Sequence, residues 1–463
     1  MSEDLRGRLE KMRQLYDTGI TRPYAFRRDQ LRKLKRSLLA HEKDLYKALE
    51  ADLKKSPEES WVTEIGFLLS EINLCLRNLR EWMRPVRVMT NLLNFPSRSY
   101  VLHEPLGVVL LIGPWNYPLQ LLFTPLVGAI AAGNCIVLKP SEFAPATAAV
   151  MEKMIVENFS SDYILTVQGN GAEIVPALMK DFRFNHIFYT GSTSIGKKIY
   201  QSAAAQLIPV TLELGGKSPC VVEGDANLKV AARRIAVTKF SNAGQMCVAP
   251  DYVLVQKNVK SDLINLLKES IKEFYSGDAL HAHSYGKIIN EKQFDRLLNY
   301  LQQGEIIHGG RHDRSKLFIE PTIVEIPPSK NVAANPLLSE EIFGPVLPII
   351  PFDNFEEAKT IIGRNPDPLA FYLFTSDKKK EQTWVESISF GGGCINNASW
   401  HLTNPHLPFG GRGNSGIGNY HGRNSFEVFS HRKAVMKTPT WFDPSLKYPP
   451  FKGKLGLFKK IIR

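Results

Sequence analysis

"GVVLLIGPWNYPLQLLFTPLVGAIAAGNCIVLKPSE", residues 107–142, decides the architecture. Its first run, "VVLLI", is apolar without alternation, as a strand covered on both faces must be. "YPLQLLFTPLVGAIAAG" then carries a helical pattern, and "CIVLK" is a second buried strand. No charged residue falls between Pro105 and Leu138, and hydropathy alone would suggest a membrane span. Pro114, Pro118, Pro125, Gly128, Gly133 and Asn134 interrupt that stretch, however. The reading is strand, loop, buried helix, strand.

The alternation continues outward. "PATAAVMEKMIVENF" reads as helix, "YILTVQG" as strand, "EIVPALMKD" as helix, "HIFYTG" as strand, "IGKKIYQSAAAQL" as helix and "PVTLELGG" as a fifth strand. Strands separated by helices predict an α/β fold with a parallel, doubly wound sheet. Such sheets bind ligands beyond the carboxyl ends of their strands. A second α/β alternation runs from about residue 217 to 400, while residues 1–80 read as helices and "SRSYVLHEP" as an extended arm.

Composition narrows the function. The chain has 463 residues, 43% hydrophobic and 22% charged, which fits a globular protein of two or three domains. Five scattered cysteines, without CxxC or Cys/His ligand spacing, argue against a disulfide framework and a zinc site and for a reducing compartment. The charged start lacks a secretory pattern, and the expected location is cytoplasmic. Net charge is +12, of which residues 432–463 supply +8. No nucleic-acid module accompanies it.

Chemistry-bearing residues cluster at the predicted strand ends. Asn116, between two prolines in "GPWNYP", can donate to an oxyanion or simply form a turn. Lys139 and Glu142 in "VLKPSE" can hold a ribose, or be a solvated loop pair. Gly191, Ser192 and Gly196 in "TGSTSIG" suit a pyrophosphate at a helix N-terminus, or an ordinary turn. Glu213, in the apolar "TLELGGK", should have a raised pKa suited to a general base, unless Lys217 or an Arg pairs with it. Glu341 and Phe343 in "EEIFGP" can meet a ribose and a flat ring, or be a loop acid beside a core Phe. Cys247 in "SNAGQMCVAP" is either a nucleophile or a small buried side chain.

Together with "LPFGGRGNSGIGNYHGRNSFEVFSHRK", these motifs resemble the aldehyde dehydrogenase superfamily, over about residues 5–450. The short chain resembles the class 3 branch, which takes fatty and aromatic aldehydes. The resemblance implies a Rossmann-like NAD(P)-binding domain (1–80 and 101–212) and a catalytic domain (213–403). It also implies bridging arms (81–100 and 404–440) that join a homodimer, ahead of a basic tail (441–463). It implies Cys247 as nucleophile, Glu213 as general base and Asn116 as oxyanion donor. Lys139, Glu142, Gly191, Ser192, Gly196, Glu341 and Phe343 would contact NAD, with NADP as an alternative, and no metal would take part. The implied reaction oxidises an aldehyde to its acid through a thiohemiacetal and a thioester. Transfer to coenzyme A, or a non-catalytic role on the same fold, are the competing readings.

Arg412 departs from the branch, which often has a small apolar residue there, and residues 395–406, with Trp400 and His401, fall where substrate contacts are expected. Cys75, Cys135 and Cys220 read as packing residues. The tail interleaves Leu455, Leu457, Phe458, Ile461 and Ile462 with Lys454, Lys459, Lys460 and Arg463. It suits peripheral contact with an anionic membrane, a partner subunit or solvent.

Overall fold

The computed structural model describes residues 3–326 and 335–462, so Arg463 of the tail lies outside the described residues. Val108–Ile112 is the central strand of a six-stranded sheet and is buried along its whole length. From it the chain winds outward through Cys135–Lys139 to Ile164–Thr166. It then crosses back to His186–Thr190 and Val210–Glu213 on the other side. All these pairings are parallel. That reversal opens a crevice beyond Ile112 and Thr190, where doubly wound sheets take their ligands. Gly416–Ile417 closes the edge antiparallel to Val210–Glu213.

All fifteen residues of the helix Pro118–Ala132 are buried. A helix wrapped by protein on every side needs no polar face, which accounts for the charge-free stretch. Among the described residues no helix is long and apolar enough to cross a membrane.

The second sheet has seven strands, in the order Glu305–His308, Thr322–Glu325, Val346–Phe352, Tyr252–Gln256, Pro219–Val222, Ala370–Phe374, Gly392–Ile395. Only the Glu305–His308 edge runs antiparallel. A third, antiparallel sheet stands apart from both, with Arg98–Pro105 between Val86–Val88 and Ser430–Lys437. Within residues 404–440, Gly416–Ile417 and the helix Arg423–Val428 pack with the first sheet and its buried helix. Ser430–Lys437 belongs to the arm sheet.

The helical N-terminus departs in two places from its sequence pattern. One run from Phe26 to Leu53 is two helices, Tyr24–Ala40 and Glu42–Leu53, because His41 leaves helical geometry and its Nδ1 meets the Ser37 carbonyl at 2.9 Å. The helix that starts at Pro57 runs into a wide π-turn, Trp61–Ile65, closed by the Gly66 N–H on the Trp61 carbonyl. A Cβ at Gly66 would stand 2.8 Å from that carbonyl oxygen, so the turn needs glycine there.

Candidate active site

Three loops meet between the two large sheets. The first follows Val108–Ile112 and carries Asn116, which is buried. Its Nδ2 has two hydrogens, and one goes to the Gln245 carbonyl at 3.1 Å. Gln245 belongs to the second loop, two residues before Cys247. Its side chain staples that loop, donating to the Asn242 and Lys287 carbonyls at 3.0 and 2.9 Å and accepting from the Ile289 N–H at 3.0 Å. The "GQ" of the motif is therefore structural at its Gln.

Cys247 is half-buried and faces a cavity of about 300 Å³. Burial pushes its thiol up to about 12, and the Glu341 and Glu213 charges add to the rise. The Cys247 and Val248 amides pull the other way. Glu213 ends Val210–Glu213, and burial alone holds its carboxyl well above the ordinary value. Among the described residues neither of its oxygens has a hydrogen-bond partner. Pairing with Lys217 does not occur: that ammonium pairs with Asp251 and donates to the Leu337 carbonyl at 2.6 Å.

The third loop carries Glu341 and Phe343. Burial, then the Asp251 charge, pushes Glu341 up to about 8 against an opposing Gly216 N–H. Phe343 sits at φ +49° and meets Trp115 edge-on, with centroids 5.3 Å apart. The cavity in front of Cys247 is walled by Phe67, Leu121, Met246, Trp400, Phe409 and Tyr420 among others. Phe409 of that wall stacks on both His401 and His421. Cys394 Sγ is 3.6 Å from His401 Nδ1, but burial lowers that imidazole to about 4 and raises the thiol, so the pair stays neutral.

A model of the aldehyde dehydrogenase family matches residues 3–435. The chain belongs to that family. It is 43% identical over 458 residues to aldehyde dehydrogenase family 3 member H1 of Arabidopsis thaliana, covering 98% of this chain and 93% of the relative. It is 41% identical over 450 residues to the dimeric, NADP-preferring aldehyde dehydrogenase of Mus musculus, covering 96% and 98%. A structure described as the substrate-bound state of Staphylococcus aureus AldH superposes with TM-score 0.96 at 42% identity, covering both chains fully. This aldehyde dehydrogenase oxidises aldehydes and uses NAD(P).

The crevice of this aldehyde dehydrogenase fits such a cofactor. Ser192 caps the helix Thr193–Ala204 with its backbone only, its hydroxyl meeting Ser194 instead, so amides of the first turn remain for an anion. Gly196 lies in that first turn, against Leu214. Lys139 is buried at the end of its strand and donates to Glu142 at 3.0 Å, while Glu142 also accepts the Gly171 N–H at 2.8 Å. Burial raises the Glu142 carboxyl, but that amide and Lys139 outweigh it and hold it low. Thr193, Gly215, Gly216 and Glu341 line a second cavity of about 280 Å³ on the crevice side.

Sequence reading missed Lys55, Glu59, Glu64 and Asn242, which hold the first two loops in place. Glu59 and Glu64 lie in a helical stretch after Pro57, and only the fold brings them to the Asn242 N–H and to the Leu119 and Gln120 amides.

Proposed function

We propose that this aldehyde dehydrogenase converts medium- or long-chain aliphatic, or aromatic, aldehydes to carboxylic acids without coenzyme A. The single observation carrying this reading is the apolar cavity in front of Cys247, with Phe67, Leu121 and Trp400 on its walls. The thiolate form of Cys247, its proton passed to solvent, attacks the carbonyl, and Asn116 Nδ2 together with the Cys247 amide receives the oxyanion. NAD(P), when bound, would supply the acceptor for the hydride that the thiohemiacetal loses as it becomes a thioester. Glu213 takes a proton from water, which releases the acid. A carboxyl of raised pKa without a protein partner suits that task. An enzyme passing its acyl group to coenzyme A has no need of such a base.

Lys139 and Glu142 would hold the adenosine ribose, Gly191, Ser192 and Gly196 the pyrophosphate, and Glu341 and Phe343 the nicotinamide half. The Glu142 carboxylate would repel a 2′-phosphate, so NAD is preferred, while Lys139 beside it offsets that charge and lets NADP be accepted as well. Two copies join through the arm sheet, whose neighbours Met89, Leu92 and Phe95 are exposed. The helix Leu455–Ile461, with no buried residue, is the candidate for peripheral membrane contact. Liposome binding that survives its deletion removes that last point.

The test is turnover across a series of aldehydes from two to sixteen carbons with each cofactor. We expect kcat/KM to rise with chain length, and Trp400→Ala to flatten the rise. A preference for two-carbon aldehydes, or acid formation that requires coenzyme A, refutes the reading.

A further inference from the structure

We infer that residues 55–65 form a clasp that sets the Asn116 loop against the Cys247 loop, with Lys55 and Glu59 as positioning residues. The inference rests on the reading of Asn116 and Cys247 given above, and concerns how their spacing is kept.

Lys55 is fully buried. Its Nζ donates to Glu64 Oε1 at 2.6 Å and to the Asn116 carbonyl at 3.1 Å, and lies 3.8 Å from the centroid of the Tyr117 ring. All three faces of the ammonium are thus occupied by one carboxylate, one carbonyl and one π-cloud. Glu64 does two jobs. Oε1 neutralises Lys55, and Oε2 accepts the Leu119 and Gln120 amides at 2.9 and 3.3 Å. Those amides open the helix Pro118–Ala132 and have no partner within it. The buried charges are paired and hydrogen-bonded, the condition under which such a pair is tolerated.

Glu59 reaches the other loop. Its Oε1 accepts the Asn242 N–H at 3.0 Å. Asn242 and Ala243 sit at φ +50° and +51°, a conformation that persists only when neighbours enforce it. Asn242 Nδ2 in turn donates to the Asn116 carbonyl at 2.8 Å and the Gln245 carbonyl at 3.2 Å. One short segment therefore holds an Asn116 peptide that belongs to the first sheet and a turn that leads to Cys247 beside the second. The π-turn Trp61–Ile65 supplies the reach: Val62 and Thr63 line the cavity while Glu64 points back at Lys55.

The test is the double variant Lys55→Met/Glu64→Gln, since removing one partner alone strands a buried charge and endangers folding. A misplacement of ~1 Å at a reacting centre costs about a hundred-fold in rate. We expect kcat to fall ten-fold or more, with the aldehyde KM within two-fold and the NAD dissociation constant unchanged. In an Asn116→Ala background the same pair of changes should cost nothing further, because Lys55 acts through Asn116. Glu59→Ala, which leaves the ion pair intact, should give the same kcat-without-KM loss and serves if the double variant does not fold. Full kcat in a folded variant of either kind overturns the clasp, and so does a loss that multiplies with Asn116→Ala. Full turnover by Asn116→Ala alone removes the oxyanion reading itself, a distinguishable failure that takes the clasp with it.

Discussion

Gly215→Ala is a small change aimed at one functional group. A Cβ built on Gly215 stands 1.9 Å from Glu341 Oε2, 2.5 Å from its Cδ and 2.7 Å from Oε1, the three nearest atoms to it. Gly215 is not in the left-handed region, so alanine brings no backbone strain. The Glu341 carboxylate must retreat about 1.5 Å to reach ordinary contact at 3.4 Å. It then leaves the Gly216 N–H that opposes its rise in pKa. If Glu341 meets the cofactor as proposed, a shift of that size costs about a hundred-fold in turnover, or roughly 2.7 kcal/mol of barrier. The fold should not suffer, since the atoms displaced are the end of one flexible side chain. Gly216→Ala is the matched control: its nearest neighbour would be the Leu369 amide nitrogen at 3.5 Å, an ordinary contact. The assay is steady-state kinetics over a range of NAD concentrations, with thermal melting alongside. We expect Gly215→Ala to lose about two orders of magnitude in kcat/KM for NAD at unchanged melting temperature, and Gly216→Ala to lose little. Wild-type kinetics in Gly215→Ala would refute a working role for Glu341, and equal losses in both variants would refute the steric argument.

Two further outcomes follow from burial. The Cys247 thiol, pushed up to about 12, is protonated below that pH, so its thiolate fraction climbs ten-fold per pH unit. Alkylation of Cys247 in the cofactor-free Cys394→Ser protein, followed by mass spectrometry, should rise log-linearly from pH 7 to 10, and a plateau near pH 8.5 would contradict the burial argument. Glu71, buried against the Gly422 N–H at 2.6 Å, is raised to about 7 by desolvation. The folded state therefore binds a proton that the unfolded chain has released, and stability falls as pH climbs from about 4.5 to 7 and then levels. Glu71→Gln keeps the hydrogen bond and should be more stable than wild type at pH 8, by as much as ~3 kcal/mol, with the gap closing near pH 4.5; a gap independent of pH would show that Glu71 stays ionised.

The parallel, doubly wound sheet was legible in residues 107–142 because strands buried on both faces must be continuously apolar, and that pattern needs no knowledge of neighbours. The motif residues were legible for a related reason: Asn116, Lys139, Gly191 and Glu213 all stand at predicted strand ends, where such a sheet presents its ligands. The π-turn at Trp61–Ile65 was not legible, because its residues keep a helical spacing and the turn closes only when Gly66 meets Trp61. The partners of Glu213 and Lys217 could not be read either. Adjacency in "ELGGK" suggests a pair, yet Lys217 goes to Asp251, thirty-four residues on, and buried Glu213 has no hydrogen-bond partner among the described residues.

What local sequence determined, then, is which residues are candidates for the chemistry, and that Asn116, Lys139, Gly191 and Glu213 stand at or just after strand ends. What only the tertiary structure decided is the electrostatic state of those residues and what holds them in register. Burial raises Cys247, Glu213 and Glu341 together, and Lys55, Glu59 and Glu64 reach the site from 55 to 183 positions away. Desolvation and long-range hydrogen bonds depend on how the whole chain packs, and no single stretch of it contains that information.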